Sequence, residues 1–217
     1  MDPENPVVRL CAEGMRAEAD GRTADARDLF EKAWETATDD YEACVAAHYV
    51  ARHQPSPEDT LRWNHECLLR ADRVGDERVR GFYPSLHINL GKAYRDLGDL
   101  TKAREHFLLA AACVDDAPQS QYGDWNRFAI AEGLRTTGGP ERRPVDDLLP
   151  DLLARLCARA DLKALGLILP AYLGDLGTDP DRVRLTTALH MVHAARWLPD
   201  DDQTALGQAI AALTPTP

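Results

Sequence analysis

A chain of 217 residues, 44% hydrophobic and 28% charged, is long and apolar enough to bury a core, which excludes a disordered polypeptide. Aromatic residues make up only 6%, while Ala, Leu, Arg, Glu and Asp dominate, so the composition favours helix over sheet. A net charge of −11 argues against general binding of DNA, RNA or anionic membranes and leaves room only for a local basic patch.

The first six residues, Met1 to Pro6, are acidic and have no hydrophobic run behind them, so no signal peptide is expected there. The first structured segment carries Gly14, Ala17, Gly21, Ala26, Phe30 and Ala33. These residues predict a helix closed by Gly21 as a left-handed cap and a second helix started by Thr23, with Ala26, Phe30 and Ala33 packing back on Gly14. Next come a helix over residues 41–53, with small Ala46 and Ala47 at its crossing, a turn at Pro55-Ser56-Pro57, and a helix over 57–74. Phe82-Tyr83-Pro84-Ser85 then leads into a second copy of the first pattern: Gly91, Tyr94, Gly98, Ala103, Phe107 and Ala110. Its offsets of 3, 7, 12, 16 and 19 from the leading glycine match those of the first copy without a gap. Asp99 is the expected cap of the second helix.

Trp125-x-x-Phe128-Ala129 opens a weaker segment that begins at Tyr122, and residues 136–144 read as a loop. Helices are expected over 146–160, 162–176, about 180–198 and about 202–213. The apolar stretch over 162–176 predicts a helix buried all round. The run from Leu162 to Leu173 is broken by Lys163, Gly166 and Pro170 and is too short to span a bilayer. Five widely spaced cysteines with no CxxC predict reduced, buried thiols in a cytoplasmic protein, and the Ala-, Arg- and Asp-rich usage suggests a GC-rich bacterial source.

Leu90-Gly91-x-x-Tyr94, followed by Gly98, Ala103, Phe107 and Ala110, is similar to the tetratricopeptide-repeat signature, with His87 in place of the leading Trp and no trailing Pro. The resemblance is strongest over 85–112 and then over 10–36. It implies an all-α fold, a right-handed array of antiparallel helix hairpins, with atypical helical hairpins at the C-terminal end. Residues 1–136 would hold three or four units, and 145–217 would be a helical extension capping the array.

The resemblance also implies a concave groove lined by the first helix of each hairpin. Its groove positions here are Cys11, Met15 and Glu18, then Cys44, His48 and Arg52, then Ile88, Asn89, Lys92 and Arg95. His48, Arg52, Lys92 and Arg95 would form a basic cluster, with Asn89 adding an amide, able to hold a carboxylate by charge-assisted hydrogen bonds. Alternatively, Lys92 and Arg95 form surface ion pairs with Asp96, Asp99 or Glu105. Asn64 falls within an apolar stripe; with Trp63 and His65 it faces a pocket beside His48 or else bonds a backbone carbonyl. Phe82 and Tyr83 form an aromatic wall to the groove or a hydrophobic staple. Cys11 and Cys44, at equivalent places on neighbouring units, are expected to lie too far apart for a disulfide.

Motifs of dinucleotide, P-loop, serine-hydrolase and zinc-protease chemistry are absent. His190 and His193 share a helix face without further ligands, and Asp200 to Asp202 read as helix-capping charge. The reading is a protein- or peptide-binding module with no cofactor or metal and no nucleic-acid or membrane partner. A small-molecule or signalling-peptide sensor is the alternative, and an enzyme using His48, His65 or His87 comes third.

Overall fold

Asn5 starts the first helix: its side-chain oxygen accepts from the Val7 and Val8 N–H groups at 2.9 and 3.2 Å, and Pro6 occupies the first turn. The computed structural model describes residues 2–116, 120–139 and 143–213, and every regular element among them is helical. No helix among them is long and apolar enough to cross a membrane. The chain divides into two units, Met1–Asn126 and Arg127–Pro217.

The first unit begins with α1 (Pro6–Ala19) and α2 (Thr23–Thr36), followed by α3 (Asp40–Val50), which tightens into a 3-10 turn over Ala51–His53. After these come α4 (Pro57–Val74), the single turn α5 (Glu77–Arg80), α6 (Tyr83–Asp96), α7 (Leu100–Ala112) and the start of α8 (Gln121–Thr136). α1 packs on α2, α3 on α4 and α6 on α7, while α2 meets α3 and α4 meets α6.

Both copies of the repeated pattern fold alike for the same steric reason. A Cβ added to Gly14 would stand 2.3 Å from the Phe30 ring, and one added to Gly91 would stand 2.9 Å from the Phe107 ring. Each glycine is therefore the place where the second helix presses its phenylalanine onto the first. Ala26, Ala33, Ala103 and Ala110 flank those rings and are fully buried. Each first helix ends in a Schellman turn. Gly21, at φ 77°, donates to Glu18 O while Arg22 N–H reaches Ala17 O; Gly98, at φ 80°, donates to Arg95 O while Asp99 N–H reaches Tyr94 O. The two second helices start differently. Asp99 caps α7 by accepting from Lys102 N–H at 3.0 Å, as expected. Thr23 does not cap α2: it already lies inside the helix, and Arg22 stands at the cap position with no side-chain bond to the backbone. Ser56 caps α4 by accepting from Asp59 N–H at 3.0 Å.

The second unit holds α9 (Val145–Ala158), α10 (Leu162–Leu173), α11 (Asp179–Ala195) and α12 (Asp200–Leu213) around one core that includes Leu149, Leu152, Leu156, Ile168, Leu185, Leu189 and Leu206. α9 ends in a third Schellman turn, in which Ala160 donates to Cys157 O and Asp161 N–H reaches Leu156 O. Here a non-glycine residue, Ala160, takes the left-handed conformation at φ 53°. α10 is not buried all round as its composition suggested: Leu162 is 76% exposed and Leu173 is 38% exposed, because α9 and α11 cover only part of its circumference. Asp202 is not merely a helix-start charge; its buried carboxylate accepts from Arg155 at 2.7 Å and from Arg159. Asp181 is likewise buried, bonded by Arg127 and by Thr178 Oγ1 at 2.7 Å.

The unit boundary falls inside α8, ten residues before the end expected at 136. Arg127 accounts for this: its guanidinium bonds Gly174 O and Asp181, both in the second unit. The expected loop over 136–144 is a loop only beyond Thr136, and its residues 140–142 lie outside the described residues, as do 214–217.

Candidate functional site

The first unit contains a cavity of about 320 Å³. Its lining comes mostly from the leading helices of the three hairpins, Met15 of α1, Cys44, Val45, His48 and Tyr49 of α3, and Ser85 and Leu86 of α6; Tyr122 is added from the start of α8. Phe82 stands just before α6, Cys67 comes from α4, and Arg52 comes from the 3-10 turn after α3. Small residues open the space. Ala43, Ala46 and Ala47 let α3 approach its neighbours closely, which leaves the larger Cys44, Val45 and His48 as the wall.

Two of the six expected ligand residues, His48 and Arg52, meet in this cavity, but not as a basic pair. Burial pushes the His48 pKa down to about 4, and the nearby Arg52 charge adds to the effect, so the imidazole is neutral at physiological pH. Its ring meets that of Tyr49 edge to face, with centroids 5.2 Å apart. Arg52 is already engaged by Glu18, with Nη2 2.9 Å from Oε2, and His53 Nε2 lies 3.0 Å from Oε1 of the same carboxylate.

The other four residues lie elsewhere. Lys92 stands over the Trp125 ring, 4.8 Å from its centre, and Arg95 lies 3.8 Å from Asp96, one of the acidic neighbours anticipated for it. Asn89 is half-buried on α6 and is not part of the cavity wall. Asn64 is buried in α4 and does not line the cavity. Its neighbours turn away too: Trp63 packs edge-on against Trp34 at 4.9 Å, and His65 Nε2 meets Tyr94 Oη at 2.8 Å. The expected basic cluster is thus replaced by an apolar wall, because Arg95 meets a carboxylate on its own helix, Arg52 one on the preceding hairpin, and Lys92 the Trp125 ring on the following helix.

Phe82 is the aromatic wall, stacked on Tyr41 at 6.3 Å, whereas Tyr83 points to Asp72 and donates to it at 2.9 Å. Cys44 and Cys67 sit side by side at the cavity floor with Sγ atoms 3.8 Å apart. The Cys67 thiol donates to Cys44 O at 3.2 Å. The hydrogen bond to Cys44, and then burial, hold the Cys67 pKa well above the usual thiol range. All five cysteines are free thiols, but they are not all buried as expected: Cys11, Cys44 and Cys67 are, whereas Cys113 is half-buried and Cys157, near the end of α9, is exposed.

Of the cavity rim, Met15 was expected on the groove, but the aromatic part was not. Tyr122 and Trp125 are each 47% exposed and stack at 6.1 Å on the first two turns of α8, and Met15 is 40% exposed opposite a wall of α3 residues. The signal was present in the Tyr122 to Ala129 segment, which has the aromatic start of a repeat but lacks its remainder. Comparison of the chain with protein-family models, curated proteins and solved structures finds no match.

Proposed function

We propose that the first unit is a tetratricopeptide-like interaction module that binds a peptide segment by seating one apolar side chain in the cavity between Met15 and Tyr122. The observation that carries this reading is the origin of the lining: α1, α3 and α6, the leading helices of three hairpins, contribute most of one cavity, and Tyr122 at the start of α8 adds to it. The repeated Gly14–Phe30 and Gly91–Phe107 crossings support the hairpin-array reading, since they place equivalent helices by equivalent contacts. The rim favours recognition of another chain. Exposed Tyr and Trp supply large contact area at small entropic cost, and exposed Met adapts to varied shapes. The anchor is apolar rather than anionic, because His48 is neutral and Arg52 is held by Glu18. A flanking acidic residue on the partner would meet Lys92 and Arg95 outside the cavity.

Selection of a random displayed peptide library on the full chain tests this. Enriched peptides should share one large aliphatic or aromatic residue. Met15→Trp, at an exposed rim position, should narrow the entrance and weaken those peptides tenfold or more with the thermal melt unchanged, and Tyr122→Ala should weaken them to a similar degree. Binding indifferent to both changes would refute the cavity as the site. The cavity volume of about 320 Å³ favours a second reading, a small-molecule sensor, since it falls at the lower end of ordinary ligand pockets. Absence of any enriched peptide, together with a metabolite pool that raises the melting temperature of wild type but not of Met15→Trp, would establish that reading instead.

A further inference from the structure

Three of the seven histidines gather away from the cavity, one each from α4, α6 and α7. His87 Nδ1 and His106 Nδ1 are 3.1 Å apart, with ring centroids at 5.3 Å. The His65 ring lies 6.3 Å from that of His106, and the Tyr94 ring stacks on His106 at 5.4 Å. The repeat register makes this arrangement unusual. The two copies are offset by 91 − 14 = 77 positions, so His87 and His106 occupy the places held by Leu10 and Leu29 in the α1–α2 hairpin. One copy uses an apolar pair there and the other a pair of imidazoles. The imidazoles are costly for packing: burial holds His87 and His65 below the ordinary histidine range and pushes His106 down to about 4.

We propose that His87 and His106 form a two-ligand site for a divalent transition-metal ion of the zinc, nickel or copper class, coordinated through both Nδ1 atoms. Metal–imidazole bonds of about 2.0–2.1 Å span a nitrogen separation of 3.1 Å at an angle of roughly 100° at the metal, close to tetrahedral or octahedral demands. Turning each ring by about 40° from its present hydrogen bond aims both lone pairs at one ion. Neutral imidazole is the ligating form, and these rings are held neutral near pH 7. A cavity of about 420 Å³ beside His87, edged by Asp76, Cys113, Asp116 and the Glu77–Arg80 ion pair, carries net negative charge and gives a hydrated cation a path in. Among the described residues no group of three or more His, Cys, Asp or Glu side chains is placed to hold a metal ion. The remaining coordination positions therefore belong to water, and the ion exchanges rather than building the fold. Because α6 and α7 supply one ligand each, the ion would clamp that hairpin.

Calorimetric titration of zinc chloride and nickel chloride into the metal-free full chain at pH 7.5 tests the site. One equivalent should bind, with a rise in melting temperature that a chelator reverses. His87→Gln and His106→Gln should each weaken binding tenfold or more, with circular dichroism confirming the fold. Cys113→Ser and the double change His190→Gln/His193→Gln on α11 should leave binding unchanged. Absence of binding by wild type, equal affinity in the His87 and His106 variants, or loss in the α11 variant would each overturn the proposal. This site is independent of the peptide cavity, and neither reading falls with the other.

Discussion

His48 places an ionisable ring in an apolar wall, and its depressed pKa becomes a dependence of stability on pH. The imidazole titrates near 4 when folded and near 6.5 when unfolded. Between those values the unfolded chain binds more protons, so stability falls as pH drops from about 6.5 to about 4 and is flat above that window. The separation corresponds to at most about 3 kcal/mol from this residue. His48→Leu should shrink the difference in unfolding free energy between pH 7.5 and pH 4.5 by about 2 kcal/mol in urea titrations. An unchanged difference would mean that His48 is hydrated in the folded protein. Ala160 stores strain of another kind, since a side chain at φ 53° crowds its own carbonyl. Ala160→Gly should raise the urea midpoint, with a gain of up to about 1 kcal/mol, less whatever the freer unfolded chain returns. A lower midpoint would show that the methyl group packs better than its conformation suggests.

The helical hairpins are built around one contact used twice. Gly14→Ala must displace the Phe30 ring from a position 2.3 Å away, and should destabilise the protein by about 1–3 kcal/mol. Gly91→Ala, at 2.9 Å from Phe107, should cost less than Gly14→Ala, and chemical denaturation of the pair tests that ranking. In α12, Asp202→Ala leaves Arg155 and Arg159 without their shared acceptor and should cost about 2 kcal/mol, discounted because both guanidinium groups also reach water. These contacts also explain what could be read in advance. The hairpins at 10–36 and 85–112 were legible because a crossing helix pair needs glycine and a left-handed turn needs glycine, and both needs leave a letter in the sequence. The turn at Ala160 has the same backbone bonds but no glycine, so it left no letter. The candidate site was half legible. Groove positions such as Met15 and His48 follow from the hairpin register, but the fate of Arg52 depends on Glu18, 34 positions earlier on another hairpin. Local pattern can place a cation on a face; it cannot say which carboxylate comes to meet it.

At the scale of the whole chain, a net charge of −11 opposes compaction by self-repulsion. The many exposed ion pairs, such as Arg22 with Asp20 and Asp25, offset little of this because water and salt screen them. Raising sodium chloride from 10 to 150 mM should therefore raise the melting temperature, since screening relieves the net repulsion more than it weakens the pairs. A fall would mean that the local pairs dominate. The cysteines are distributed so that the two units differ sharply in chemistry. In the first unit Cys11 is buried, Cys44 and Cys67 are buried at the cavity floor with the Cys67 pKa held high, and Cys113 bonds Leu109 O at 3.2 Å with its pKa raised to about 11. Cys157 on α9 alone is exposed. A brief maleimide treatment at neutral pH should consequently attach one fluorophore, at Cys157, with no engineering of the sequence. The protein carries a built-in handle for tethering to a surface or reporting on its second unit by light, and the same exposed sulfur is where two copies would cross-link if it were stored without reductant.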